Sequence, residues 1–460
     1  MKTISKLKEI FISRGDFRRN FSITVLGNSF GYLIGFLFTP FIARIYLPEA
    51  YGAFAIFNSL VINLALFSTL NYTNAIILPK TENELIRLLQ LIFLLLFINL
   101  SINYLIVFLG GQAFIEYFEL DQIGGWIYFI PIVVFFTGFN QSFISLANRL
   151  ADFKNFSKAK IISISLSKSI TLGYGHLFSG NLSGLIIGEI LMIPINAIII
   201  ISNKARIIII KCKKIDFSEI IKVGKIYKNY PIYYLPASWF LILITQLPLY
   251  FIIKFHGSTN AGYYALATSM LNIPIIFFSN SASAVFIQKA SIYYPSDIEK
   301  IKSITIELAY LLIIISSLGF GLLFGFGDLI FWVILGENWI EAGNFAKILS
   351  IGSVFYFVAL PISTLFRILK KERQYLFINM AFVVAIVISF IIFYKLSIEK
   401  ILLLYSIEFA LYSMIILVYF NINLSLRNPI KKSIFLAAMV TIAFSLSYLL
   451  RIIFDFFISK

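Results

Sequence analysis

Residues 40–55 read Pro40-Phe-Ile-Ala-Arg44-Ile-Tyr-Leu-Pro-Glu-Ala-Tyr-Gly52-Ala-Phe-Ala55, and the same pattern returns 210 residues later. The second copy reads Tyr250-Phe-Ile-Ile-Lys254-Phe-His-Gly-Ser-Thr-Asn-Ala-Gly262-Tyr-Tyr-Ala265. Each copy has an apolar segment, one cation, a glycine eight residues after that cation, and a second apolar segment. Since duplication of a membrane helix bundle is a recurrent architecture, the pattern predicts a chain of two related halves.

The composition places both halves in a membrane. Hydrophobic residues make up 60% of the 460 residues, charged residues only 13%, and the mean hydropathy is +0.91. This is more apolar surface than a soluble core can bury. A spanning helix needs roughly 20 apolar residues, and thirteen such segments are predicted: 21–46, 51–78, 86–109, 125–147, 159–178, 183–202, 231–255, 262–288, 303–326, 345–369, 375–394, 398–420 and 433–458.

The charges of the connecting loops indicate the topology. Basic loops alternate with loops that are neutral or acidic, such as 110–124 and 327–344. Because Lys and Arg accumulate on the cytoplasmic side, we expect the N-terminus to be cytoplasmic. The predicted order is a basic cytoplasmic segment (1–19), a first six-helix lobe (20–202), a basic cytoplasmic linker (203–230), a second six-helix lobe (231–420) and an extra C-terminal membrane segment (421–460).

The expected fold is therefore an all-α polytopic membrane protein with 12 to 14 spans. An even number of spans returns each lobe to the cytoplasm, so the two lobes are expected to be related by a pseudo-two-fold axis along the membrane normal. One or two C-terminal helices follow, depending on whether the last segment bends near Arg451. In the linker, the run from Ile207 to Ile210 followed by Lys211 predicts a short amphipathic piece at the inner surface.

The same features exclude several functions. The formal charge of +16 is explained by topology and by anionic headgroups, so no nucleic-acid partner is expected. A single cysteine, Cys212, allows neither an internal disulfide nor a Cys-x-x-Cys motif, and His176 and His256 are too far apart for a metal site. No phosphate-binding loop of an ATP-driven pump occurs. We expect no metal and no cofactor.

Polar residues recur inside two apolar segments that occupy equivalent places in the two halves. They lie close to one helical face in each: Asn63, Asn71 and Asn74 in the second segment, and Asn272, Ser279 and Ser283 in the eighth. Hydrogen bonding between membrane helices explains such residues. The alternative is that both faces line a wet cavity, and their presence in both halves favours it.

Ionisable residues inside spans are costly and usually face protein or water. Lys168 lies nine residues into the fifth segment, or ~13 Å along a helix, so it needs a partner: Glu189, Glu408 or a bound anion. Arg44 and Lys254 lie near the outer ends of their segments, where they snorkel into headgroups or face a cavity mouth together.

Two further sets of charges have predicted roles. Arg149 and Arg367 lie at inner helix ends, where anchoring of topology is favoured over ligand contact. Glu189, Glu408 and Glu307 are candidates for an ion relay.

Three stretches resemble the polysaccharide biosynthesis flippases, the Wzx-type repeat-unit translocases of the multidrug, oligosaccharidyl-lipid and polysaccharide exporter superfamily. They are 40–54, 264–274 (Tyr-Ala-Leu-Ala-Thr-Ser-Met-Leu-Asn-Ile-Pro) and 335–343 (Leu-Gly-Glu-Asn-Trp-Ile-Glu-Ala-Gly). Order and spacing over most of 20–420 carry the resemblance. It implies two six-helix lobes around a central cavity, with 12 or 14 spans.

The resemblance also implies a function. Such a protein carries a polyprenyl-pyrophosphate-linked oligosaccharide from the inner to the outer leaflet of a bacterial cytoplasmic membrane by alternating access. Lys168, Arg44 and Lys254 would meet the pyrophosphate, and the polar stripes would meet the sugars. Membrane lipid, and polymerase and chain-length machinery, are the expected partners.

Two alternatives stay open. A cation-coupled multidrug exporter of the same superfamily would need lobe carboxylates, whereas cations exceed carboxylates in segments 1, 5 and 7. A membrane-embedded polymerase would need a substantial outer loop, whereas the longest loop here is basic and on the predicted inner side. We therefore expect a transporter rather than an enzyme.

Overall fold

The computed structural model describes residues 31, 33–150, 152–201, 203–212, 215–294, 296–424 and 429–458. Regular structure in these ranges is entirely helical, which confirms the predicted all-α polytopic membrane class. The predicted basic segment 1–19 lies outside the described residues.

The helices are numbered here in chain order. They are α1 (Leu33–Ile45), α2 (Pro48–Ser68), α3 (Glu82–Phe118), α4 (Ile130–Arg149), α5 (Phe153–Leu177), α6 (Leu182–Ile200), α7 (Asn203–Lys211), α8 (Phe217–Ile226), α9 (Leu235–Pro274), α10 (Asn280–Tyr293), α11 (Ile298–Leu335), α12 (Ile340–Ser363), α13 (Leu365–Ile368), α14 (Glu372–Ile392), α15 (Ile398–Asn423) and α16 (Pro429–Ile458).

Ten helical stretches in the described ranges are long and apolar enough to cross a membrane, against thirteen predicted segments. One stretch, Tyr230–Ser279, covers the predicted segment 231–255 and most of 262–288, because α9 is two helices joined by a kink at Gly257, where φ is 85°. Two further predicted segments, the first and the fifth, correspond to the short α1 and the lysine-containing α5, which are not among the ten stretches. Counted separately, these pieces account for all thirteen.

The chain forms two compact units, and the first contains the described residues up to 45 and those from 57 to 236. Its core is a cluster in which Leu88 and Ile92 of α3, Phe143 of α4 and Ala159 of α5 are buried. Helix α8 packs on α3 and contributes Val223 to the same cluster. Helices α7 and α8 of the predicted linker are grouped with the first unit.

The second unit contains residues 46–56 and 237–460. Helix α12 lies at its centre, packed on α11 and α15, and its stretch is the most buried of the ten. Phe345, Phe357 and Val358 of α12 are almost completely shielded from solvent.

The C-terminal segment is one continuous helix, α16, which packs on α11 without a break at Arg451. Arg451 donates from Nη1 and Nη2 to the two carboxylate oxygens of Asp328 at 3.0 and 3.1 Å. Lys347 Nζ lies 3.3 Å from the same carboxylate, and Arg451 Nε bonds Asp455 at 2.9 Å. Asp328 was expected in a loop, but α11 continues through a distortion at Phe326 to Leu335.

Candidate functional site

A polar interior of the first unit lies where α5 packs on α6. Ser163, Ser167 and Thr171 of α5 recur every four residues, so they share one face of the helix, and all three are buried. Gly188 of α6 allows this close packing, because a Cβ there would meet the Thr171 side chain and lie 3.2 Å from the Ser167 carbonyl oxygen. Asn196 of α6 donates from Nδ2 to Ser163 Oγ at 3.1 Å.

Lys168 follows Ser167 and Glu189 follows Gly188, so the two ionisable residues flank this contact on neighbouring helices. The Lys168 ammonium and the Glu189 carboxylate interact electrostatically. Glu189 is thus the predicted partner that lies on the helix next to Lys168 within the same unit. The arrangement joins a cation, a carboxylate and several neutral hydrogen-bonding groups in one unit.

Several buried polar atoms in the first unit have no hydrogen-bond partner among the described residues. They are Ser167 Oγ, Asn63 Oδ1, Asn140 Oδ1 and Asn196 Oδ1. Leaving such an atom unpaired costs about 1–3 kcal/mol, so each can accept a hydrogen bond from water or a polar ligand. Sequence reasoning missed Asn140, Ser167 and Asn196, although an amide or hydroxyl inside an apolar helix is the signal that identified Asn63.

The predicted polar stripe of the second segment does not lie on one helix. Asn63 is in α2, where its Nδ2 donates to the Ser59 carbonyl at 2.9 Å. Helix α2 ends at Ser68, and Asn71 adopts a left-handed conformation with φ of 64°. Asn74 then donates to the Asn71 side chain. Asn71 and Asn74 therefore shape the turn after α2, a feature that hydrophobic periodicity alone does not reveal.

The corresponding residues of the second unit form hydrogen bonds inside that unit. Ser279 is completely buried, and its Oγ donates to the Phe357 carbonyl of α12 at 2.8 Å. Ser283 donates to the Ser279 carbonyl at 2.7 Å. Asn272 of α9 is exposed. Ser279 thus bonds to α12, which is the interhelical role considered as the alternative for the stripe, whereas the Ser283 hydrogen bond stays within its own helical stretch.

The other predicted cations differ in their surroundings. Arg44 is exposed in the last turn of α1, and Lys254 is half-buried three residues before the kink of α9. Arg149 donates to the carbonyls of Ile76, Ile77 and Pro79 at 3.0, 2.9 and 2.7 Å. Arg149 therefore holds the chain between α2 and α3, in keeping with an anchoring role.

The three carboxylates proposed for an ion relay belong to different units. Glu189 is in the first unit, whereas Glu307 and Glu408 are in the second. Glu408, near the middle of α15, interacts with the Ser389 hydroxyl, and its Oε2 has no partner among the described residues. Glu307 is exposed on α11. Glu189 lies on α6, beside the polar α5–α6 contact of its own unit.

Comparison with known proteins gives a family and a fold. The sequence model of a family described as polysaccharide biosynthesis protein matches residues 41–344. No curated protein matches the chain. An inward-facing multidrug transporter of the MATE family and MOP superfamily has a TM-score of 0.67 at 11% identity, with 86% of this chain and 94% of that chain covered.

Two more solved structures share the fold. The lipid II flippase MurJ, in an inward closed conformation, has a TM-score of 0.66 at 14% identity, covering 95% of this chain and 99% of that chain. A MOP superfamily transporter from Pyrococcus furiosus has a TM-score of 0.59 at 11% identity, covering 88% and 95%. Identities this low show a common fold only. The functions of those proteins are therefore not transferred to this chain.

Proposed function

Because the chain belongs to the polysaccharide biosynthesis protein family, we propose that it is a flippase for a lipid-linked oligosaccharide. Its cargo is a repeat unit on polyprenyl pyrophosphate, moved by alternating access from the inner to the outer leaflet of a bacterial cytoplasmic membrane for surface polysaccharide synthesis. The family and the fold shared with a lipid II flippase support this proposal.

The observation that carries the proposal is the polar α5–α6 contact with Lys168. The cargo has a pyrophosphate that needs a cation and sugars that need hydrogen bonds, while its polyprenyl tail can stay in lipid. Lys168 supplies the cation, and the unpaired Ser167 and Asn196 atoms supply acceptors for sugar hydroxyls. Glu189, on the neighbouring helix, would give way to the pyrophosphate as the partner of Lys168.

The remaining predicted residues take secondary roles in the proposal. Arg44 and Lys254 receive the headgroup where their segments reach the outer surface, and Asn63 and Asn272 line the path of the sugars. Asn71, Asn74, Ser279 and Ser283 act through the turn and the helix packing that they hold.

The driving force need not come from ATP. An anionic headgroup that leaves a negative interior gains about 2.3 kcal/mol per charge for each 100 mV of membrane potential. A proton or cation bound at Glu189, Glu408 or Glu307 would add to this. Polymerase and chain-length machinery in the same membrane would then take the cargo over.

The test is the leaflet distribution of the lipid-linked repeat unit in a deletion strain. Intact spheroplasts are labelled with a glycan reagent that does not cross the membrane, and the labelled and total cargo are compared. Restoring the chain is expected to return cargo to the outer leaflet. Lys168→Gln is expected to leave it on the inner leaflet, while Lys158→Gln, the same change at an exposed site of α5, retains transport.

The outcomes separate the competing functions. Unchanged leaflet distribution with shortened polymer would indicate a polymerase. Unchanged glycan with increased sensitivity to toxic cations would indicate a multidrug exporter. Equal transport by the two lysine variants, at equal protein levels, would remove Lys168 from the site while leaving the flippase intact.

A further inference from the structure

The two short helices α7 and α8 fill the linker between the membrane stretches Leu182–Ile200 and 230–279. Asp216 begins α8 by accepting hydrogen bonds from the backbone N–H groups of Ser218 and Glu219, at 3.1 and 3.4 Å. On its C-terminal side, only residues 227–229 separate α8 from the membrane stretch that begins at Tyr230.

Helix α8 is held firmly to the first unit. Tyr227, just after α8, donates to Glu84 of α3 at 2.8 Å. Burial and this bond hold the pKa of the Tyr227 phenol above its usual range, so it remains a donor. Tyr72 donates to the Gly224 carbonyl at 3.1 Å, and Gln90 donates to the Cys212 carbonyl at 2.8 Å. The orientation of α8 is therefore defined by its contacts.

One face of α8 is buried in the first unit. Ile220 and Val223, with Tyr227 beyond the helix end, are shielded from solvent. They lie within about 60° of one another, because each helical residue turns by about 100°. The remaining faces point away from the protein.

The flank next to this buried face is apolar but uncovered. Phe217 is 62% exposed and Ile221 57% exposed. They lie one turn apart and about 40° from each other around the helix. Lys225 lies one turn after Ile221 and is turned farther from the buried face, and Lys222 lies farther round the helix in the same direction. Both lysines are exposed. An apolar strip bordered by lysines is typical of a helix that lies in a membrane interface.

The sequence pattern pointed instead to α7, through the run Ile207–Ile210. In the structure, Ala205 and Ile208 of α7 are buried in the core cluster, so the α7 surface that faces the protein is apolar. Ile210 of α7 is 55% exposed, whereas α8 has two uncovered apolar residues one turn apart, Phe217 and Ile221.

We propose that the Phe217–Ile221 flank of α8 lies in the interfacial layer of the inner leaflet, with Lys225 and Lys222 on the phosphates of anionic lipids. Charge complementarity favours lipid over a protein partner. A lysine near an anionic surface strengthens binding about fivefold. This contact would fix the level of the first unit at the membrane surface, and it does not depend on the identity of the cargo.

The test measures the environment of single labelled positions in the reconstituted full-length protein. Cys212 is replaced by serine, and an environment-sensitive fluorophore is attached to Ile221→Cys, Glu219→Cys or Ile226→Cys. Around α8, positions 219 and 226 lie about 160° and 140° from position 221, so they are matched controls on the opposite flank. Vesicles contain phosphatidylcholine alone or with a quarter of phosphatidylglycerol, with or without a lipid quencher near the headgroups.

We expect blue-shifted emission and quenching at position 221 only, stronger with phosphatidylglycerol and weakened by salt. Replacing Lys222 and Lys225 by glutamine should weaken the phosphatidylglycerol effect by ten-fold or more. Water-like emission at position 221 in both vesicles, or quenching at 226 instead, would overturn the proposal. So would quenching independent of phosphatidylglycerol, or shielding that requires an added membrane-protein extract.

Discussion

Gly52 and Gly262, the two glycines of the repeated pattern, pack against each other's helices in a reciprocal contact within the second unit. A Cβ on Gly52 would overlap the carbonyl of Ser258, four residues before Gly262. A Cβ on Gly262 would overlap the carbonyl of Pro48, four residues before Gly52. Ser258 Oγ also donates to the Glu49 carbonyl at 3.0 Å. The glycines are thus required by close backbone approach.

Alanine at either glycine should destabilise the protein. Gly262→Ala and Gly52→Ala must move backbone atoms, because no flexible side chain can give way. We expect a cost of about 1–3 kcal/mol each, measured as thermal unfolding of the purified protein. The double variant should cost less than the sum, since one separation of the helices relieves both overlaps.

The matched control is Gly319→Ala in α11. No atom lies within 4 Å of a Cβ placed there, so alanine should be neutral or gain up to about 1 kcal/mol of helix propensity. Equal effects at positions 52 and 319 would refute the close-contact explanation.

The Lys168–Glu189 pair should behave as a coupled unit. Glu189→Gln leaves a half-buried cation without its carboxylate, which should cost about 1–3 kcal/mol. Lys168→Gln combined with Glu189→Gln should recover part of that loss. A thermal double-mutant cycle measures the coupling, and strictly additive effects would show that the two residues do not stabilise each other.

The Asp328 cluster should attach α16 to α11. Asp328 and Arg451 have side chains only 18% and 19% exposed. Asp328→Asn removes the carboxylate shared by Arg451 and Lys347, and we expect a loss of about 2–4 kcal/mol. Arg451→Gln should cost less, because Lys347 remains paired.

Proteolysis of α16 provides a readout for this cluster beside thermal unfolding. The exposed Lys222–Glu219 pair is the control, since Lys222→Gln should change stability by less than about 1 kcal/mol. Protection of α16 that is unchanged in Asp328→Asn would contradict the attachment.

Arg149 should control the turn between α2 and α3. Its hydrogen bonds to three carbonyls are lost in Arg149→Gln, at a cost of about 2–4 kcal/mol. Trypsin should then cut faster after the exposed Lys80. Arg149→Lys should have a stability and a cleavage rate between those of the unchanged protein and Arg149→Gln, because one ammonium group cannot reach all three carbonyls.

Arg367, the other arginine predicted at an inner helix end, is exposed near the end of α13. Arg367→Gln should change stability by no more than about 0.5 kcal/mol. A similar loss from both arginine variants would point to charge at the inner surface and not to the carbonyl contacts.

The Cys212 thiol should react slowly near neutral pH. Burial, opposed by the nearby Arg87, raises the pKa of the thiol to about 11. Because the thiolate is the reactive form, the alkylation rate should rise about tenfold per pH unit up to that value, with about 0.1% thiolate at pH 8. A rate that levels off near pH 8.5 in the folded protein would contradict this. The denatured protein is the control, because its exposed thiol should show that levelling.

Local properties of the sequence determined the membrane class, the thirteen apolar segments and the place of Lys168 within α5, because hydropathy, segment length and intramembrane charge depend only on nearby residues. The left-handed conformation of Asn71 could not be predicted in this way, because it occurs just after α2 ends, within a run that is apolar in sequence.

Tertiary structure decided which distant residues meet. The sequence shows that the glycines at 52 and 262 share a pattern, but only helix packing places each against the other's backbone. In the same way, packing paired Arg451 with Asp328 and directed the Ser279 hydroxyl to α12. Such contacts depend on the relative position of whole helices, which no local pattern in the chain encodes.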